Sequence, residues 1–106
     1  MEHQVKFEVE KVTFEDNTTL FLPFITEMEF SNDRNKETRY VIYLVEDKIH
    51  RYETFNKKLG RISIRKFGVE SEVFAKELIK LYRKQFPQII DIEIVHTQTL
   101  RDNGKK

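Results

Sequence analysis

The stretch RISIRKFGVESEVFAKELIKLYRKQFPQIIDIEIV, residues 61–95, decides the fold class. Residues 61–67 place isoleucines at alternate positions, which predicts a strand. Over residues 70–86 apolar side chains recur three, four and seven positions apart, which predicts an amphipathic helix that ends before Pro87. Isoleucines alternate with polar residues again over residues 89–95, which predicts a second strand. Because a helix with one apolar face buries that face against a sheet, the expected class is α+β.

The predicted helix has an apolar face and a charged face. Leu78 lies in the middle of the apolar face and is expected to pack on the sheet, whereas Lys80 lies on the opposite face. Gly68 or Ser71 is expected to cap the N-terminus of the helix. The apolar face consists of two adjacent rows, Phe74, Leu78, Leu81 and Gln85 in one and Ala75, Ile79, Tyr82 and Phe86 in the other.

Upstream of this unit, polar turns and an exposed loop at residues 31–37 separate four further predicted strands, at about residues 5–14, 19–24, 38–46 and 49–55. Ile25, Met28 and Phe30 suggest that the second strand extends beyond a bend. The hydrophobic alternation of the first strand slips at Lys11, which predicts a β-bulge near Glu10. Pro23 predicts that the second strand lies at a sheet edge or is bent. The third strand is apolar on both faces, which predicts a central position with a layer on each side.

The predicted architecture is an antiparallel-dominated sheet of about five strands, followed by one amphipathic helix and a final strand, with the helix packed on one face. The two strands that flank the helix are expected to be parallel and joined by a right-handed crossover. The length of 106 residues suits one domain, residues 1–106. The polar ends, residues 1–4 and 98–106, are expected to fray.

Composition narrows the function. The chain has no cysteine, which removes disulfides, thiolate metal sites and cysteine nucleophiles. Its three glycines are too scattered for a phosphate-binding loop. The apolar runs are too short to span a bilayer, and the sequence shows no signal peptide. We therefore expect a cytoplasmic protein without membrane contact, metal or cofactor. Its dense surface charge predicts a monomer or a weak dimer.

The charges are unevenly distributed along the chain. Residues 1–30 hold seven acids and two bases, whereas the remainder holds eleven acids and seventeen bases. The largest patch of one sign lies between residues 48 and 66, with seven bases against the single acid Glu53. We predict that this stretch is a solvent-exposed hairpin that binds a partner or a nucleic acid. Its candidate binding residues are Lys48, Arg51, Tyr52, Lys57, Lys58, Arg61, Arg65 and Lys66.

Catalytic patterns are weak by comparison. His50 and His96 lie on predicted strands and would have to meet in space to catalyse RNA cleavage as general acid and base. Glu46-Asp47-Lys48 matches half of a metal-dependent nuclease pattern, but it stands where a hairpin turn is needed. The sequence therefore predicts no catalytic site, and the protein is not expected to be an enzyme.

Three hypotheses of function remain open. The first is a compact, non-catalytic binding protein that acts through protein–protein contacts, as a phage or mobile-element inhibitor of a larger nucleic-acid-handling machine such as a CRISPR nuclease. The second is a module that binds single-stranded nucleic acid through the Lys48–Lys66 stretch. The third is a small metal-independent ribonuclease. The expected partner is a larger protein or nucleoprotein complex, and direct contact with nucleic acid is possible.

Overall fold

A five-stranded sheet with a helix on each face forms the core of the computed structural model, which describes residues 2–30, 34–54, 59–85 and 92–100. Strands β1 to β4 are antiparallel, and β5 adds to the sheet parallel to β1, in the order β4-β3-β2-β1-β5. The fold is α+β, as predicted. The elements are β1 (Glu2–Phe14), β2 (Thr19–Phe30), β3 (Asn35–Val45), β4 (Lys48–Glu53), α1 (Arg61–Phe67), α2 (Glu72–Gln85) and β5 (Ile92–Leu100).

The predicted strand at residues 61–67 is wrong, because α1 occupies this stretch. Ile64 and Phe67, three positions apart, are buried on the sheet, whereas Ile62 is 85% exposed. A strand would have placed Ile62 and Ile64 on the same face. Only two residues, Ile62 and Ile64, alternate, and so short a pattern fits a strand and a short helix equally well; packing on the sheet decides between them.

The two helices cover opposite faces of the sheet, so the predicted packing of one helix on one face is also wrong. We call the two sides the α2 face and the α1 face. The core of the α2 face consists of Phe7, Val9, Ile25 and Ile42 beneath Ala75, Leu78, Ile79 and Tyr82. The core of the α1 face consists of Val12, Phe14, Leu20, Leu22, Phe24 and Val41 beneath Ile64 and Phe67.

The slip of alternation in β1 reflects this change of covered face. Pairing of β1 with β2 is continuous from Glu2↔Phe30 to Thr13↔Thr19, without a bulge. An irregularity does occur beside Glu10, but between β1 and β5, where the extra residue belongs to β5. The apolar residues of β1 move from the α2 face to the α1 face along the strand because each helix covers only part of the sheet.

The sheet splits between β2 and β3, and this split explains how a proline fits into a central strand. The β2–β3 ladder ends at Phe24↔Val41, next to Pro23. Phe21 exchanges two backbone hydrogen bonds with Val69, at 2.7 and 2.9 Å, on the side away from β1. Backbone N–H groups two residues apart point to the same edge of a strand, so the N–H that Pro23 lacks would point away from β1 and toward the split. β2 is therefore not an edge strand in the sheet order, but Pro23 lies on a stretch of β2 that has no β3 partner, which is a local edge as predicted.

Helix α2 follows the predicted pattern in part. Leu78 is buried, as predicted, and the Ser71 hydroxyl accepts a hydrogen bond from the Phe74 N–H at 3.1 Å, which confirms Ser71 as the cap. Phe74 and Leu81 belong to the predicted apolar face but remain 43% and 41% exposed. The buried stripe is narrower than predicted and consists of Ala75, Leu78, Ile79 and Tyr82.

The chain ends also differ from the prediction. β1 begins at Glu2 and β5 extends to Leu100, so residues 2–4 and 98–100 are strand where fraying was expected. β5 is parallel to β1 rather than to a strand that directly precedes the helix. The two described helices have 7 and 14 residues, and neither is long and apolar enough to cross a membrane.

Candidate partner and nucleic-acid interface

The predicted binding residues do not form one hairpin. Lys48, Arg51 and Tyr52 lie on β4, at one edge of the sheet. Arg61, Arg65 and Lys66 lie on α1. Lys57 and Lys58 lie outside the described residues.

Strand alternation divides the β4 residues between the two faces. Tyr52 pairs with Val41, and His50 pairs with Tyr43, so both side chains share the α1 face with these partners. Lys48 lies on the same face two residues earlier. Lys48, His50 and Tyr52 are all exposed. The α1 face of β4 therefore presents one base and two rings to solvent.

An aromatic cluster joins β4 to α1. The Tyr43 and His50 rings stack with centroids 5.5 Å apart and planes 23° from parallel. The Phe67 ring lies 4.9 Å from Tyr43 and 5.2 Å from Tyr52, and it stacks on Tyr52 at 28°. Phe67 is buried, whereas Tyr52 remains 44% exposed. The inner rings thus hold the two outer rings in fixed positions.

Two lysines lie on the same side of the sheet as these rings. The Lys66 ammonium lies 5.4 Å from the Phe67 ring centre, and Lys48 lies on the same face of the sheet. We call Lys48, His50, Tyr52 and Lys66 the basic–aromatic surface. Arg61, at the start of α1, is a further exposed base, five residues before Lys66.

Arg65 is less available than the sequence suggested, because its guanidinium lies 4.0 Å above the Phe14 ring. It also lies near the β1–β2 turn. There the Thr18 backbone N–H donates to Asp16 Oδ1 at 3.0 Å and lowers the pKa of Asp16, which the Thr18 hydroxyl and the charge of Arg65 lower further. Arg65 therefore helps to attach α1 to the sheet.

Arg51 faces the other side of the sheet, so it does not share a face with Lys48, His50 and Tyr52. Its Nη1 donates hydrogen bonds to Glu27 Oε2 at 2.9 Å and to the Tyr82 hydroxyl at 3.1 Å. The guanidinium also lies 4.2 Å above the Tyr40 ring. Burial raises the pKa of Tyr82 and that of Tyr40, so both phenols are neutral beside the cation. Arg51 links β4, β2 and α2.

The acidic first part of the chain does not form one surface either. Glu8 and Glu10 are buried on the α1 face, and Arg39 Nη2 lies 3.4 Å from Glu8 Oε1 and 3.9 Å from Glu10 Oε1. Lys6 Nζ lies 3.3 Å from Glu8 Oε2. Glu27, by contrast, is on the α2 face with Arg51. This pairing across strands could not be predicted from the sequence, because acids at alternate positions are typical of any solvated face.

The arrangement of the histidines does not favour the ribonuclease hypothesis. His50 lies on β4 and His96 on β5, the two edges of the sheet. Four inter-strand steps separate them, roughly 19 Å at the usual strand spacing. Glu46 and Asp47 form the β3–β4 turn with φ values of 51° and 67°, as a two-residue hairpin requires. Among the residues that the structure describes, no three histidine, aspartate or glutamate side chains are placed to hold a metal ion.

Comparison with protein-family models, with curated proteins and with solved structures finds no match for this chain.

Proposed function

We propose that this chain is a non-catalytic binding protein that attaches to a larger protein or nucleoprotein complex through the basic–aromatic surface. The observation that carries the proposal is the position of Tyr52 and His50. Both rings are exposed on a sheet edge, both stack on inner rings, and bases lie on the same side. Tyr52 stacks on the buried Phe67 and still leaves 44% of its surface exposed, so it can also contact a partner.

The energetics of such a surface suit protein recognition. Aromatic side chains provide large contact area, and a ring already fixed by stacking loses little conformational entropy on binding. Tyrosine and arginine are over-represented among residues that contribute most to interfaces. The bases favour a partner with an acidic surface and accelerate association at low ionic strength.

The partner that best fits the size and charge of the chain is a host machine that handles nucleic acid. We propose that the protein is an inhibitor from a phage or a mobile element, with a CRISPR nuclease as one possible target. A cleavage assay tests this directly: purified chain is added to a panel of guide-RNA nucleases with their DNA substrates. Loss of cleavage that depends on chain concentration is expected for the target nuclease, and unchanged cleavage across the panel would exclude those enzymes.

A matched pair of triple variants tests the surface itself. Lys48→Glu, Tyr52→Ala and Lys66→Glu alter the basic–aromatic surface. Lys80→Glu, Leu81→Ala and Lys84→Glu make the same change of charge on the exposed side of α2 and also truncate one part-exposed apolar side chain. Affinity for a partner captured from the native host should fall at least about tenfold in the first triple and stay unchanged in the second. Equal affinity of both triples would refute the proposed surface, provided that thermal melting shows both to be folded.

The exposed rings also favour a second candidate, binding of single-stranded nucleic acid. Exposed aromatic side chains beside bases are a common platform on which bases stack. A gel shift with a labelled oligothymidylate at two salt concentrations tests this candidate. Phosphate contacts predict a logarithmic salt slope of about −0.7 for each contact. A missing shift at low salt would leave the protein partner as the only proposal of the two.

The ribonuclease hypothesis now rests on His50 without His96 as its partner. Incubation of labelled RNA with the chain in the presence of EDTA tests it. Cleavage that disappears in a His50→Ala variant would support it, and intact RNA would refute it.

A further inference from the structure

A groove opens where the sheet splits between β2 and β3. Because Val69 pairs with Phe21 in place of β3, a space of about 290 Å³ remains between the end of β3 and the connection from α1 to α2. Its lining includes Val45, Phe67, Val69, Phe74 and Leu78, with Lys66 as a charged member. The groove is therefore mostly apolar.

Two of the lining residues remain exposed to solvent despite their size. Val45 is 44% exposed and Phe74 is 43% exposed. Phe74 lies in the first turn of α2, five residues after Val69, which pairs with β2 at the split. Single exposed apolar side chains are common, but contiguous ones around a groove are typical of binding sites.

The groove is continuous with the basic–aromatic surface. Phe67 connects the two, because its ring stacks on Tyr52 of the surface and the residue also lines the groove. Lys66 belongs to both. One partner could therefore contact Tyr52, Lys66 and the groove at the same time.

We propose that this groove receives one aromatic side chain from an acidic segment of the partner protein. The inference rests on the proposed function and specifies the partner's chemistry. An apolar cavity of about 150 Å³ suffices for benzene, so the larger groove accommodates a phenyl or indole ring. Lys66, the charged residue of the groove lining, is placed to attract a carboxylate that flanks the ring. Aromatic anchors in apolar pockets surrounded by a polar rim are the usual arrangement of strong interface contacts.

Phenylacetate is the smallest probe of this chemistry, because it combines a phenyl ring with a carboxylate. We expect its titration into ¹⁵N-labelled protein to shift the amide signals of Leu44, Val45 and Val69 and to saturate. Benzylamine carries the same ring with the opposite charge, and it should bind about two- to fivefold more weakly. Equal binding of the two probes, or shifts confined to residues away from the groove, would overturn the proposal.

A matched pair of single variants links the probe to the groove. Phe74 and Leu81 lie on the same helix with nearly equal exposure, 43% and 41%, but only Phe74 lines the groove. Phe74→Gln should abolish the saturable shifts, whereas Leu81→Gln should retain them. Saturable binding that survives in Phe74→Gln would place the probe elsewhere and refute the assignment.

The same variants separate this inference from the proposed function. With a captured partner, Phe74→Gln should lower affinity at least about tenfold and Leu81→Gln should not. If Phe74→Gln binds normally while the triple variant of the basic–aromatic surface does not, the surface stands and the groove proposal fails. If neither variant loses affinity, the proposed surface fails as well. A dimer mass by light scattering that disappears in Phe74→Gln would assign the groove to a second copy and overturn the proposal.

Discussion

At the scale of single residues, the neighbours of a base determine whether it is available for binding. Arg51 and Tyr52 are adjacent in sequence, but alternation places Arg51 against Glu27 and Tyr82 and leaves Tyr52 in solvent on the other face. Arg65 stacks on Phe14, whereas Lys66 lies beside Phe67 at the candidate surface. Counting charges along residues 48–66 could not separate bases that pack within the fold from bases that are available to a partner.

Tyr82 predicts how stability depends on alkaline pH. Burial raises its folded-state pKa above the ordinary value, and the same holds for Tyr40. Stability from a raised pKa is fully present below the unfolded value, about 10, and is lost as pH rises through the folded value. We expect the free energy of unfolding to fall above about pH 10, and less steeply in Tyr82→Phe. Denaturant titrations at about pH 9 and about pH 11 measure the free energy of unfolding at each pH. An equal decrease between these pH values in the wild type and in Tyr82→Phe would contradict the assigned burial of Tyr82.

Leu78 is suited to test the packing of α2 on the sheet, because truncating its side chain leaves a cavity in the core. Its side chain is 1% exposed, so Leu78→Ala should lower the free energy of unfolding by about 2–5 kcal/mol. Leu81→Ala on the same helix is the control, because Leu81 is 41% exposed and should change stability by less than about 1 kcal/mol. Thermal or urea unfolding compares them. Similar losses in both variants would mean that the orientation of α2 is different.

At the scale of elements, the spacing of apolar residues predicted α2 correctly but predicted a strand in place of α1. α2 has 14 residues and repeats its apolar spacing, so only a helix fits. α1 has 7 residues, and two of its apolar side chains, Ile64 and Phe67, suffice to hold it on the sheet. In β1 the change of covered face imitates a bulge. Local pattern cannot reveal which side of a strand another element will cover, because that depends on the topology.

Gly68, in the connection between the two helices, has no room for a side chain. A Cβ at this position would lie 2.7 Å from the Ile64 carbonyl oxygen and 2.9 Å from Leu20 Cβ, so the backbone must shift. Gly68→Ala should therefore cost about 1–3 kcal/mol of unfolding free energy. Gly60→Ala is the control, because a Cβ there meets no atom within 4 Å. Urea unfolding of both variants is the measurement, and equal stabilities would contradict the close approach of α1 to β2.

At the scale of the whole molecule, the sheet has a helix on each face, and the two faces differ in character. The α2 face is closed by the Arg51 network and a buried helical stripe. The α1 face is covered by a helix of only 7 residues, so the β4 end of the sheet exposes His50 and Tyr52. The sequence predicted the α+β class and the basic region. It could not predict the split at Pro23 or the groove, since both require Val69 to pair with a strand far away in sequence.

The most direct test of the account is hydrogen–deuterium exchange of the chain with and without a captured partner. Backbone amides exchange more slowly where a partner excludes water or holds the chain closed. We predict new protection on β4 (Lys48–Glu53) and α1 (Arg61–Phe67), with unchanged exchange around Lys80, Leu81 and Lys84 of α2. Protection confined to α2, with β4 and α1 exchanging as in the free protein, would contradict the central claim that the α1 face of the β4 edge is the binding surface.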